Sequence, residues 1–268
     1  MLIRAFLILN ISLLFIIQHG IAQSPYDINW KKEPIHLAVG GATMVTGVIF
    51  ASNVNGLTEE EIVGYDRNDV NRFDRGATYN SSFQAKTASD ILLYGSALLP
   101  LSFLASKDTR KDFGKIAIYY GETVFITAGV TYLTKGVMLR VRPLVYNEDF
   151  SLAEKQKTGA RHSFFSGHTS LTAASCFFTA KVFSDYFPDS RFKPYVWAGA
   201  IILPAATGYF RVDAGKHFPT DVIAGYVVGA TIGFLVPQLH KKVKIGNADS
   251  SVSLDVGATG AALTWKFN

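Results

Sequence analysis

Six apolar segments, at 34–52, 91–106, 116–134, 170–183, 195–210 and 222–239, constrain this chain more than any other feature. A helix needs roughly 17–25 mostly apolar residues to cross a bilayer, and several of the six reach that length. The 170–183 segment is short, and 116–134 carries Glu122. Gly225, Gly229 and Gly233 make two overlapping GxxxG patterns, which let helices approach closely in a membrane. Charged residues are 18% of the 268, against about 25% in an average soluble domain, while hydrophobic residues reach 49%. That balance excludes disorder. The alternative to membrane helices is a tightly packed soluble bundle. Cys176 is the single cysteine, so an intramolecular disulfide and a cysteine-based zinc site are excluded. A net charge of +5 is too modest to point to nucleic acid. The expected fold is all-α: a transmembrane bundle of about six helices with a short C-terminal β-hairpin.

Four regions are expected. Residues 1–22 read as an export signal, with Arg4 ahead of an apolar run and small residues at Gly20 and Ala22. An uncleaved anchor is the alternative. Residues 23–89 hold one apolar segment and a polar stretch, 90–245 the helical core, and 246–268 the tail. In the polar stretch, Thr58 before Glu59, Glu60 and Glu61 reads as a capped helix start. Asp66, Arg67, Asp69, Arg72, Asp74 and Arg75 alternate in sign, as on a solvated, ion-paired helix surface; a lid over a headgroup is the sharper reading. In the tail, alternating Val252, Leu254 and Val256 face alternating Leu263, Trp265 and Phe267 across a glycine-bounded turn.

Basic residues orient the bundle. Lys107, Arg110, Lys111 and Lys115 fill one connection, Arg191 and Lys193 another, and Lys241, Lys242 and Lys244 follow the last segment. Basic connections stay in the cytoplasm, which sends the loops around 135–168 and 211–221 outside. Six crossings after a cleaved signal would instead put the 107–115 connection outside. Either the signal is retained or one early segment does not cross, and 34–52, rich in Gly and Thr, is the candidate.

Three clusters flank the later segments. The first runs from Lys135 to Arg142 and Pro143. The second is Ser166, Gly167 and His168. The third holds Arg211, His217 and Asp221. Lys135, Arg142 and Arg211 are three cations suited to phosphate. Ser166 and Gly167 begin a helix, where amide groups and the dipole favour an anion. His168 and His217 can exchange protons near neutral pH. Asp221, four residues after His217, is spaced to fix its tautomer. Arg140, Arg161, His162 and Lys216 read as a basic rim around these motifs.

Together the clusters resemble the signature of the type 2 phosphatidic acid phosphatase family, which shares its site with bacterial acid phosphatases and vanadium haloperoxidases. The pattern is K-x6-RP, then PSGH, then SR-x5-H-x3-D, and it covers roughly residues 90–240. Two positions depart from it: Phe165 replaces the proline and Phe210 the serine. The first departure is expected to loosen the loop. The resemblance implies His217 as nucleophile forming a phosphohistidine, Asp221 as its orienter and His168 as general acid. It implies Lys135, Arg142, Ser166, Gly167 and Arg211 as the phosphate-binding set. No acidic cluster suggests magnesium, so neither metal nor cofactor is expected.

The implied function is a lipid phosphate phosphatase in the inner membrane, hydrolysing monoesters or diphosphates at the outer face. Its partners are an anionic lipid phosphate and the membrane, with no nucleic acid and no obligate protein. A soluble exported acid phosphatase is the alternative, a haloperoxidase the third reading, and a non-enzymatic scaffold or permease the least economical.

Overall fold

The computed structural model of the protein describes residues 24–26, 33–242, 250–257 and 260–267. The export-signal reading of residues 1–22 lies outside the described residues. The α-helices are α1 (Glu33–Ser52), α2 (Glu59–Val63), α3 (Phe83–Ala97), α4 (Lys107–Arg110), α5 (Phe113–Met138), α6 (Leu152–Lys155), α7 (Gly167–Tyr186), α8 (Lys193–Asp213) and α9 (Pro219–Leu239). The six long ones fall on the six apolar segments, although the 91–106 segment leaves α3 at Ala97 and continues as a 3₁₀ stretch, Leu99–Leu104. Strand β1 (Ser250–Gly257) pairs antiparallel with β2 (Gly260–Phe267), with Val252 opposite Trp265 and Leu254 opposite Leu263. The expected boundary at 89/90 falls inside α3, which runs through it unbroken.

Three stretches, Phe83–Leu104, Phe113–Tyr146 and Pro219–Leu239, are long and apolar enough to cross a membrane. The bundle surface is correspondingly greasy. Val45, Ile49 and Phe50 on α1, Tyr94 on α3, Ile201 and Ile202 on α8, and Ile223 and Val227 on α9 are all exposed. Such a surface suits lipid, where packing of small residues rather than water exclusion brings helices together.

Helix α7 stands at the centre, packed against α3, α5, α8 and α9. Its Ala173, Ala174, Phe178 and Ala180 are fully buried. The glycine stripe on α9 explains its closeness to α7. A Cβ at Gly225, Gly229 or Gly233 would come within 2.6, 2.0 or 2.3 Å of the carbonyl oxygens of Ser166, Ser170 and Ala174. The same pairs show that α7 and α9 run parallel, with both N-termini at one end.

Helix α1 lies along α5, also parallel. Gly40 is beside Phe125 and Ile126, Gly129 beside Thr43 and Met44, and Gly136 beside Phe50 and Ala51. The segment 34–52, expected as the one that does not cross, carries an apolar helix only at Leu37–Ser52, shorter than the three stretches long enough to span. It shares the layer of α5 over its whole length, because glycines on both helices let their backbones touch.

The basic connections gather at the end away from the N-termini of α7 and α9. A strap of residues 24–26 is fastened there. Tyr26 donates to Asp185 at 2.7 Å, the Lys242 amide donates to the Pro25 carbonyl at 2.9 Å, and Tyr26 bridges to Lys241. Asp185 is buried and also takes Lys181 and Lys241.

At the opposite end, the 56–82 stretch wraps over the helix termini. The capping box at Thr58 is present: its hydroxyl accepts the Glu61 amide, and Glu61 accepts the Thr58 amide. The alternating charges after it do not form a solvated helix. Arg67–Asp69 and Arg75–Tyr79 are 3₁₀ turns, and Asp74 is fully buried. Arg75 instead ties the turn to itself through the carbonyls of Asn68 and Val70. Further on, Ser82 and Asn80 bond the carbonyls of Asp213 and Val212. Gly215, at φ +63°, permits this crossing, since a Cβ there would meet the Asn80 carbonyl at 2.2 Å.

Candidate active site

The three motif clusters meet where α5 and α8 end and α7 and α9 begin. Leu139, at φ +45°, closes α5 in the left-handed region and reverses the chain after Lys135. The following strand-like stretch pairs with the loop before α7: the Arg142 amide donates to the Ala160 carbonyl, and the Ser163 amide to the Arg140 carbonyl. The Ser166 amide donates to the Asp221 carbonyl at 3.0 Å. Phe165 is buried, so the loop expected to loosen without proline is held by packing and by this bond.

His217 is buried, and its Nδ1 lies 2.7 Å from the Ser163 carbonyl oxygen. A carbonyl only accepts, so Nδ1 carries the proton and Nε2 keeps the lone pair. Asp221 Oδ2 is 3.7 Å from Nδ1, too long for a hydrogen bond. The expectation that Asp221 itself fixes the tautomer is therefore corrected. The backbone of Ser163 fixes it, and Asp221 acts on the ring through charge. Burial first, then the charges of Arg142, Lys135 and Arg211, hold the His217 imidazole well below the usual histidine range.

Asp221 is fully buried and heavily bonded. It accepts from Ser163 Oγ at 2.5 Å, from the Phe218 amide at 2.9 Å and from Arg140 Nη1 at 2.5 Å. Arg140 Nη2 reaches Asp74 Oδ2 at 2.8 Å. Arg140 is therefore no part of a general basic rim but a bridge between two carboxylates. The motif spacing could not flag it, since it sits between the two recognised cations Lys135 and Arg142.

His168 occupies the first turn of α7, and its Nε2 is 2.8 Å from Asp90 Oδ1 on α3. Asp90 has no place in the motifs and was missed from sequence. Burial first, then the Arg211 charge, push the His168 imidazole down to about 4, with Asp90 opposing. Arg211 is buried beside the same carboxylate, at 3.8 Å, and donates to Ser89 Oγ at 3.4 Å.

Lys135 and Arg142 converge on the His162 carbonyl, at 2.7 and 3.4 Å. Burial first, then Lys135 and Arg142, push the His162 ring down to about 4. Among the described residues, Arg142 Nε, Arg211 Nε and His162 Nε2 are buried without a hydrogen-bond partner. Two guanidinium donors thus remain for an anion. Gly167 sits where a Cβ would meet Thr131 at 3.3 Å. The Ser166 hydroxyl caps α7 through the Thr169 amide and lies 2.9 Å from the Thr169 hydroxyl. It serves the helix start, whose amides face anions favourably. Lys216 lies 4.6 Å from the centre of the Phe150 ring, and burial lowers its ammonium to about 8. Arg161 pairs outward with Glu61. Among the described residues, no group of three or more His, Cys, Asp or Glu side chains gathers as a metal ion's ligands would.

A family model described as the PAP2 superfamily matches residues 116–245. A lipid A 4'-phosphatase of Porphyromonas gingivalis is 32% identical over 82 residues, 31% of each chain. An undecaprenyl-diphosphatase, BcrC, of Bacillus subtilis is 30% identical over 145 residues, 54% of this chain and 66% of that one. The chain thus spans between about a third and two thirds of these relatives' lengths. A solved transmembrane PAP2-type phosphatidylglycerolphosphate phosphatase of Bacillus subtilis superposes with a TM-score of 0.43 at 19% identity, over 90% of this chain and 96% of that one.

Proposed function

Because the chain belongs to the PAP2 superfamily, we propose that it hydrolyses phosphate monoesters or diphosphates of lipids through a phosphohistidine. The observation that carries the reading is the His217 ring. Its Nδ1–H is spent on a carbonyl, its Nε2 keeps a lone pair, and three cations act on it.

In the first step Nε2 of His217 attacks phosphorus, the P–N bond forms and the bond to the leaving oxygen breaks. His168 in its imidazolium form gives that oxygen a proton from Nδ1, since Nε2 is held by Asp90. In the second step water attacks phosphorus, neutral His168 takes its proton, the P–N bond breaks and phosphate leaves. Lys135, Arg142, Arg211 and the first amides of α7 neutralise and position the phosphoryl oxygens. The negative substrate also favours the imidazolium form of His168.

A site at one end of a bundle with an apolar flank suits a substrate whose phosphate lies at headgroup level. The relatives named as lipid A phosphatase and undecaprenyl-diphosphatase support a lipid substrate. The basic connections lie at the opposite end, which supports a site on the outer face of the cytoplasmic membrane. The 24–26 strap shares that basic end, which this orientation places in the cytoplasm.

The test is phosphate release by detergent-purified protein with EDTA present. The substrates are phosphatidic acid, phosphatidylglycerol phosphate, undecaprenyl diphosphate, lipid A and p-nitrophenyl phosphate, with His217→Ala as blank. Release from at least one lipid is expected. No release above the blank overturns the reading, and turnover of the soluble ester alone favours the exported acid phosphatase.

A further inference from the structure

The 66–82 stretch lies outside the family match and has no motif, yet it sends one buried carboxylate into the site. Asp74 Oδ1 accepts the Thr220 amide at 3.0 Å; its Oδ2 takes the Thr220 hydroxyl at 2.7 Å and Arg140 Nη2 at 2.8 Å. Arg140 in turn donates to Asp221 and to Thr220, and its guanidinium carbon lies 4.3 Å from the centre of the Phe218 ring. The result is a line of alternating charge: Asp74, Arg140, Asp221, His217. Both carboxylates are fully buried, while Arg140 is 27% exposed in its side chain.

We propose that Asp74 and Arg140 are positioning residues for phosphoryl transfer, which together set how much of the Asp221 charge reaches His217. The proposal rests on His217 being the nucleophile. One guanidinium serves two carboxylates here, so it does not fully neutralise either. Asp221 keeps negative potential for the ring 3.7 Å away, against Lys135 from α5, Arg142 beyond it, Arg211 from α8 and His168 from α7. That potential is what a ring turning cationic during phosphoryl transfer needs. A brace with only a mechanical role would need the hydrogen bonds and not the charges.

Charge and mechanics separate in variants. Asp74→Asn keeps the shape and removes a negative charge, so Arg140 bonds Asp221 alone and the imidazolium of His217 is less favoured. Arg140→Gln removes the cation, so Asp221 acts on the ring unopposed. His217 must be neutral to attack, and activity is lost as pH falls through its pKa. The acid limb of kcat/KM therefore moves to lower pH in Asp74→Asn and to higher pH in Arg140→Gln, by about one unit each. In both, kcat falls about 10- to 100-fold, the scale of a lost bond to a charged group, and KM changes little because neither residue touches substrate. Arg140→Lys keeps a cation and returns the limb toward wild type.

The closing measurement pairs these profiles with the NMR titration of ¹³C-labelled histidine in full-length protein, the His217 signal assigned by His217→Asn. Opposite displacements in the two variants, by either readout, are expected. Displacements in the same direction, or none, in folded variants of an active enzyme overturn the proposal. If wild type itself releases no phosphate, the functional reading fails, and the titration still decides whether the charge line acts on His217. Should Asp74→Asn not fold, Asp74→Glu, which keeps the charge, is expected to leave the limb in place, and Arg140→Gln carries the comparison.

Discussion

His217 Nδ1 lies 2.7 Å from the carbonyl oxygen of Ser163, a full ångström closer than Asp221 Oδ2 at 3.7 Å. The ring's tautomer is thus a property of the backbone of the loop before α7, and no side-chain substitution at 163 removes it directly.

The two histidines should part company on leaving groups. His217→Ala is expected to abolish phosphate release from every substrate. His168→Ala is expected to lose about 10²–10⁴-fold on lipid esters, the usual contribution of a general acid, and much less on p-nitrophenyl phosphate. Steady-state rates on both substrate types check this, and near-wild-type turnover by His217→Ala would sink the nucleophile assignment.

Asp90 should control the other limb of the pH profile. His168 must be protonated to act, and its pKa is already pushed down to about 4 in the free protein, with Asp90 opposing the fall. Rates on poor leaving groups therefore decline as pH rises. Asp90→Asn lowers the His168 pKa further, and the falling limb moves to lower pH. A profile of kcat/KM on a lipid ester reads this, and an unmoved limb counts against Asp90.

Gly229 should be the least replaceable of its stripe. A Cβ there would stand 2.0 Å from the Ser170 carbonyl, where only backbone movement makes room. Gly229→Ala is expected to cost about 1–3 kcal/mol, the range for overpacking. Thermal unfolding in detergent measures it. Gly41, where a Cβ meets nothing within 4 Å, is the control and should tolerate Ala.

Orientation is open to a labelling experiment, because the single native thiol, Cys176, is buried. Val63 is 81% exposed at the end that holds the site. Val63→Cys should react with a membrane-impermeant maleimide in intact cells, and Arg191→Cys only after lysis. The reverse pattern would place the site in the cytoplasm.

Much of this was legible in the sequence. Hydropathy marks the six long helices, and the spacing of Lys135, Arg142, Ser166, Gly167, His168, Arg211, His217 and Asp221 marks residues that the fold brings together at the candidate site. What escaped has a common physical cause. Ser163 acts through its carbonyl, which every residue possesses. Asp74 and Asp90 are carboxylates in stretches where charges normally face water, and only the tertiary fold brings them to a histidine or a guanidinium. Arg140 was hidden by its neighbours: amid five nearby cations of the motifs and rim, its pairing has no sequence signature. The close packing of 34–52 against α5 was hidden because glycine and threonine lower hydropathy while letting the two backbones touch.

The strap at residues 24–26 has a consequence for biogenesis. It is fastened to Asp185 on α7 and to Lys241 and Lys242 just past α9, more than 200 residues further along the chain for the last two. The bond to Asp185 can form once α7 is made, whereas the contacts to Lys241 and Lys242 must wait for α9. Contacts between such distant parts of a chain form late, so the latch at that end closes fully only after α9 is in place. The latch then joins the beginning of the bundle to its end.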